Sequence, residues 1–374
     1  MALKEQQTSF LSHVEQYFKN NCMGVLEKFL AREVLSPQAV DLSGIKSILV
    51  IRQHDQLGDF LLATPVLRAL RERFPNARIG VLVREYFYDV ARSLPYVDEV
   101  LVFYENSLHW TLKRASSLVR QLRKGWDLTV VLNTVSHSFT SDFFAHLSGA
   151  RYILGSGDRV FSGCTRNFFY NLIAPHNTTH RHQTERNLDI VRYIGVDTQN
   201  LALAISLSDM ERRNARLFLE QRGFKSDSVA IGMHIGAGKP ENRWPVQCFA
   251  QLAGVLTLKH NAQIVLFWGP YEEDLSRIFC EYVSVEPINI GHTDLKTLAS
   301  LLALCDAVIC NDSGIMHLAA ATGVPMVALF GPTDPAEWKP LGSSIAVLQP
   351  ESKKVEDVKV EDVMKALENF IRKN

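Results

Sequence analysis

SILVIRQHDQLGDFLLATPVLRALRERF, residues 47–74, decides the fold. It opens on a nearly unbroken apolar run, which is what a strand buried on both faces of a parallel sheet requires. Gly58 can relieve a tight strand-to-helix turn, and apolar residues then return at helical spacing across 60–74. Outward from this unit the alternation repeats. RIGVLV (78–83), DEVLVF (98–103) and DLTVVLN (127–133) read as strands, and SLHWTLKRASSLVRQLRK (107–124) as helix. The pattern fades between about 155 and 208, where polar and basic residues gather. It restarts with strands at VAIGMHIG (229–236), QIVLFWG (263–269), DAVICND (306–312) and VPMVALFG (324–331), separated by helices such as 245–260 and 294–305. A last amphipathic helix is expected from about 355 to 372. Strand–helix alternation of this kind predicts an α/β chain with two doubly wound parallel-sheet domains. The expected divisions are an N-terminal helical extension (1–45), a first domain (46–205), a second (206–352) and a C-terminal helix (353–374). Ligands bind at the carboxyl ends of such strands, so the informative residues should follow strands, on a cleft between the domains.

The chain has 374 residues, 40 basic and 40 acidic, with 47% hydrophobic and 21% charged side chains. That is ordinary for a soluble globular protein and excludes disordered, collagen-like and coiled-coil classes. A net charge of zero lacks the basic bias of a dedicated nucleic-acid binder, so no nucleic-acid partner is expected. The charge is uneven, however. Residues 1–200 hold 23 basic and 19 acidic side chains, leaving 17 and 21 for the rest. The excess lies at Lys113, Arg114, Arg120, Arg123, Lys124, Arg151, Arg159 and Arg166. The 6 cysteines form no C-x-x-C pair, match no zinc or c-type haem spacing, and read as a reduced, cytoplasmic complement. The first residues carry no signal-peptide apolar stretch, and nowhere do ~18 uninterrupted apolar residues occur to span a membrane.

Three clusters after strands carry chemistry. In QHDQLGDFLLATP (53–65), Asp59 falls at or just inside a helix start. It reads either as an N-cap or as a general base at the cleft edge, and a helix N-terminus favours its ionised form. In HIGAGKPENRWP (234–245), Gly236 and Gly238 let backbone approach a ligand, while Lys239 and Arg243 supply positive charge. This is not a P-loop, because Pro240 follows the lysine. The third cluster, CNDSGIMHLAAATGVPMVALFGPTDPAEWKPLG (310–342), is the most specific. Free amides at Ser313, Gly314 and Ile315 would make a diphosphate site without a metal. Asp312 could bind a sugar hydroxyl or orient the amides, and His317 lies one turn on. After another strand, Glu272 or Glu273 could accept ribose hydroxyls, or simply begin a helix. No D-x-D occurs, and the spacing of His176, His180 and His182 matches no usual metal site, so no metal cofactor is expected. The loop bearing those histidines reads as solvated or acceptor-facing.

Together these stretches resemble glycosyltransferase family 9, the ADP-heptose:lipopolysaccharide heptosyltransferases, over roughly residues 46–370. The resemblance implies a GT-B architecture of two Rossmann-like domains, the first binding acceptor and the second a nucleotide-sugar donor. It implies inversion at the anomeric carbon without a metal. Asp59 then matches the catalytic base, and Asp312, Ser313, Gly314 and His317 match donor diphosphate-sugar contacts. Gly236 and Ala237 match the loop before Trp244, and Glu272 the ribose-binding acid, with Glu273 one residue away. One departure stands out: Asn242 occupies the position where the better-known heptosyltransferases have lysine, so Lys239 or Arg243 must meet the phosphate charge. The implied partners are ADP-heptose, a glycolipid or lipopolysaccharide core acceptor, and the inner face of the cytoplasmic membrane, which the basic excess would favour. Two alternatives stay open: a same-fold transferase or epimerase using another nucleotide sugar, and a non-catalytic nucleotide-sugar binding protein.

Overall fold

A computed structural model describes residues 22–53, 56–135, 137–177, 179–225, 228–342 and 344–371. Its strands form two six-stranded, wholly parallel sheets. The first runs β3-β2-β1-β4-β5-β6, with β1 Ser47–Ile51, β2 Arg78–Arg84, β3 Glu99–Phe103, β4 Leu128–Val131, β5 Tyr152–Ser156 and β6 Leu172–Ala174. The second runs β12-β11-β10-β7-β8-β9, with β7 Ala230–His234, β8 Gln263–Phe267, β9 Ile288–Asn289, β10 Ala307–Asn311, β11 Met326–Leu329 and β12 Ile345–Leu348. Both sheets share one winding. The order reverses between β1 and β4 and again between β7 and β10, and crevices form where strand order reverses.

Each central strand is buried along its whole length, as its apolar run demands. One face of the first sheet packs Leu118, Leu122, Trp126 and Phe169. Its other face belongs to an apolar cluster that continues from Ile48, Val50 and Phe60 into Phe267, Met316 and Phe330 of the second half. The outer face of the second sheet packs Trp244, Phe249, Val363 and Leu367.

Local chemistry shifts several expected boundaries. The helix expected over 60–74 is two, Leu57–Leu61 and Thr64–Arg73, because Pro65 has no N–H to continue the first. The helix expected from 107 begins at Leu112, where the Thr111 hydroxyl accepts the Arg114 N–H at 3.2 Å. The final helix is Val360–Ile371. The stretch from about 155 to 208, where the pattern fades, holds β6 and the helix Gln183–Arg192. Short strands such as β6 and β9, three and two residues long, give periodicity too little to register. Of the N-terminal extension, residues 22–30 are helical and pack Met23, Leu26 and Leu30 on the first sheet. Residues 1–21 lie outside the described part.

The C-terminal helix completes the second core: Val363 and Leu367 are buried, and Trp244 Nε1 donates to the Val358 carbonyl at 2.9 Å. Leu367→Ala should therefore destabilise the protein by about 2–5 kcal/mol. Lys365→Ala, on the exposed side of the same helix, should stay within about 0.5 kcal/mol. Chemical denaturation of the two variants checks both.

Candidate active site

Asp59 is the third residue of the helix Leu57–Leu61, just beyond the end of β1. It is not the N-cap. Gln56 occupies that position, and Asp59 Oδ2 reaches back to accept the Gln56 N–H at 3.2 Å. The helix start was expected to favour the carboxylate, but a five-residue helix has little dipole to offer. Burial dominates and pushes the Asp59 carboxyl above its ordinary value, opposed by the Arg52 charge and the Gln56 N–H.

In the second half, one buried amide arranges the connection that follows β7. Asn311, the last residue of β10, donates to the carbonyls of Ile235 and Gly236 at 3.0 and 3.2 Å and accepts the Trp244 N–H at 3.0 Å. A Cβ on Gly236 would lie 1.9 Å from Glu272 Oε2, so a side chain there would displace the Glu272 carboxylate from the loop. Glu272 is buried beside it, accepts the Gly269 N–H at 2.6 Å and stands 4.0 Å from His234 Nε2. Glu273 is exposed, so of the two acids Glu272 faces the Gly236–Ala237 loop. Arg243 turns its Nε to the Ala237 carbonyl at 2.8 Å and braces that loop, whereas Lys239 is exposed.

Asp312 follows β10 and receives the Asn242 amide on Oδ2 at 2.9 Å. Burial raises its carboxyl, against a hydrogen bond from Thr333 and the Lys239 charge. Ser313 is the N-cap of the helix Gly314–Thr322, so the amides of Gly314 and Ile315 fall in a first turn whose N–H groups lack intrahelical acceptors. Among the described residues, Ser313 Oγ, Asn242 Oδ1 and His317 Nδ1 are buried without hydrogen-bond partners. Buried orphans are uncommon in folded proteins, and three around one helix start mark a place built for a polar ligand. Burial holds the His317 imidazole neutral, with its pKa pushed down to about 3. It can hydrogen-bond there but brings no charge.

The two halves meet at paired glycines. A Cβ on Gly58 would lie 2.7 Å from His317 Cδ2, and one on Gly314 would lie 3.1 Å from Leu57 Cβ. The helix bearing Asp59 is thereby seated on the helix that begins at Ser313. The loop bearing His176 and His180 is exposed, in line with its reading as a solvated segment, and through His180 and His182 it also reaches across to the second half. His180 Nε2 stands 3.0 Å from Glu337 Oε1 and 3.2 Å from Asp334 Oδ2, and His182 Nε2 lies 2.7 Å from the Lys339 carbonyl. His176 pairs instead with Asp158 at 3.3 Å. Among the described residues, no group of three or more His, Cys, Asp or Glu side chains is placed to hold a metal.

A cavity of about 950 Å³, lined in part by Arg92, Glu211, Asp294 and Lys296, lies elsewhere. Three of these groups are already engaged with one another or with backbone: Asp294 caps the helix Leu295–Leu302, and Lys296 pairs with Glu211 at 3.2 Å. A small cleft of about 30 Å³ beside Glu272 is lined by Tyr86, His234, Trp268 and His292. Sequence reasoning passed over Arg52 and Asn311. The available signal was a polar residue directly at or after the end of an apolar strand run.

Comparison with known proteins adds independent findings. A family model described as glycosyltransferase family 9 (heptosyltransferase) matches residues 115–368. Lipooligosaccharide heptosyltransferase 2 of Haemophilus influenzae is 25% identical over 305 residues, covering 78% of this chain and 86% of the relative. The crystal structure of a family 9 glycosyl transferase from Veillonella parvula superposes with a TM-score of 0.78 at 27% identity, covering 88% of this chain and 98% of that one. The structure of E. coli ADP-heptose LPS heptosyltransferase II gives 0.73 at 25% identity, covering 87% and 99%.

The glycine contact makes its own prediction. Gly58→Ala should leave far-UV circular dichroism unchanged but wedge the two halves apart. X-ray scattering should record a larger radius of gyration than for the wild type.

Proposed function

Since the chain belongs to glycosyltransferase family 9, and is accordingly a glycosyltransferase of GT-B architecture, we propose that it transfers a heptose, or a related sugar, from ADP-heptose to a lipopolysaccharide core or similar glycan. The reaction proposed is a metal-independent single displacement with inversion. The observation that carries this reading is the seating of the Asp59 helix on the helix start at Ser313, which sets a carboxylate beside a first turn of free amides. The names of the relatives supply the sugar and the acceptor class.

In this mechanism Asp59 takes a proton from an acceptor hydroxyl, whose oxygen attacks the anomeric carbon as the bond to the diphosphate breaks. The negative charge growing on the leaving nucleoside diphosphate is met by the amides of Gly314 and Ile315 and by the Lys239 ammonium. Asp312, Ser313, Asn242 and His317 offer hydrogen bonds to the sugar and diphosphate, while Gly236, Ala237, braced by Arg243, and Glu272 hold the nucleoside end. Contact between the halves excludes water, which would otherwise compete as acceptor.

We further propose that the enzyme works in the cytoplasm, resting on the inner face of the membrane by its first half. No described helix is long and apolar enough to cross a membrane. The helix Leu112–Leu122 leaves Leu112 and Val119 exposed between Lys113, Arg120 and Arg123, a pattern suited to lying on an anionic surface.

Three experiments test these proposals. Mass spectrometry should find the glycosylated core, and NMR its inverted anomeric configuration, when ADP-heptose, but not UDP-, GDP- or dTDP-sugars, is offered with deacylated lipopolysaccharide core. Asp59→Asn should bind donor yet lose about 100- to 10,000-fold in kcat. Full transfer by that variant removes Asp59 from its role, epimerised free nucleotide sugar would identify an epimerase, and donor binding without reaction would identify a binding protein. Reversing the charge at Arg120, Arg123 and Lys124 should weaken binding to anionic liposomes. Unchanged binding refutes the membrane contact.

A further inference from the structure

Arg52 is the first residue after β1 and is 3% exposed. Its guanidinium donates to the Asp59 carbonyl at 3.3 Å, to the Leu132 carbonyl, and to Asn187 Oδ1 at 3.4 Å. Asn187, fully buried on the helix Gln183–Arg192, also accepts the Thr134 hydroxyl on Oδ1 at 2.6 Å. Its Nδ2 donates to the Leu62 carbonyl at 3.3 Å, and the Thr184 hydroxyl donates to the same carbonyl at 3.1 Å. Backbone at 59 and 62, on either side of the helix end, thus hangs from one buried polar cluster. The end of β1, the loop after β4 and a helix more than a hundred residues away all contribute to it.

We propose that Arg52 is a positioning residue for Asp59 that acts in two separable ways, by holding the helix that carries the carboxylate and by facing that carboxylate with a buried cation. The proposal rests on the reading of Asp59 as the general base. Burying a guanidinium is costly, and holding a carbonyl needs no charge, since Asn187 and Thr184 do it neutrally at Leu62. What the charge adds is an attraction on the Asp59 carboxylate that opposes the effect of burial.

The other groups around Asp59 supply little of that attraction. The Gln56 N–H, on the same helix, is a single neutral donor. From the second half, His317 packs on Gly58, and burial keeps it neutral. His182, before the helix Gln183–Arg192, is likewise pushed down by burial, and the buried Asp312 is itself acidic. His54 and Asp55 lie outside the described residues.

The sign follows directly. A base is lost as pH falls through its pKa, so Asp59 sets the acidic limb of the kcat/KM profile. Removing a cation disfavours the carboxylate, raises that pKa and moves the limb to higher pH. With ADP-heptose and deacylated lipopolysaccharide core as substrates, Arg52→Gln should shift the limb upward by about 1–2 pH units. Arg52→Lys keeps a charge but loses the planar fork, so its rate should fall while its limb stays in place. Asn187→Ala, which loosens the helix without touching charge, should also lose rate with an unmoved limb.

A limb in Arg52→Gln that coincides with the wild type overturns the proposal. So does a displaced limb in Asn187→Ala. If Arg52→Gln does not fold, an upward displacement in Arg52→Lys overturns it instead. Asp59→Asn separates this inference from the one beneath it, since full activity there defeats the base assignment itself. The carboxyl 13C titration of Asp59, assigned against Asp59→Asn, reads the same shift without any substrate.

Discussion

Two missing side chains hold this molecule in its working shape. Gly58 and Gly314 let a helix of the first half and a helix of the second half meet at a distance that a methyl group on Gly58 would forbid. The contact joins the apolar cluster of one sheet to that of the other, so Phe60 and Met316 share a single core. It also sets the relation that chemistry needs. Asp59 is carried by one of these helices and the amide-bearing start at Ser313 belongs to the other. Much of the candidate site depends on that approach, because the proposed base and the proposed anion site lie in different halves.

Around this contact, buried amides and one buried guanidinium do the arranging. Asn311 fixes the connection that follows β7, and Asn187 with Arg52 suspends the Asp59 helix. Such groups are expensive to bury and are therefore nearly saturated by neighbours. The exceptions are informative. Several buried atoms lack a hydrogen-bond partner among the described residues, and three of them, on Ser313, His317 and Asn242, lie close to the helix start where a polar ligand is proposed to lie. Charge is sparing there. Asn242 binds Asp312 as a neutral amide, and Arg243 is committed to the Ala237 carbonyl, which leaves Lys239 as the exposed cation of that loop.

Much of this was legible beforehand. Fully buried parallel strands have no polar alternation, so β1, β2, β7 and β10 stood out as apolar runs, and Asp59 and Asp312 were found because they follow such runs. What escaped was short or non-local. β6 and β9 are too brief to show a period, and Pro65 split a helix that its apolar spacing alone would have joined. His180 is the exposed loop residue its sequence suggests, but its partners, Asp334 and Glu337, lie more than a hundred and fifty residues away and leave no local trace. The ionisation of Asp59 was read from its helix start, whereas its burial, invisible in a linear chain, dominates.

By itself, the sequence determined the two doubly wound sheets, because period and apolarity are local properties that each strand and helix carries within itself. It also determined the chemical types at the strand ends, since a turn that approaches a ligand needs glycine and an anion site needs free amides. Only the tertiary structure decided which of those residues share a site. It buried Glu272 against Gly236 and left Glu273 exposed, turned Arg243 toward backbone, and brought Arg52 to the Asp59 carbonyl. The reason is physical: desolvation, close approach and Coulombic attraction depend on distance in space, and sequence separation does not set that distance.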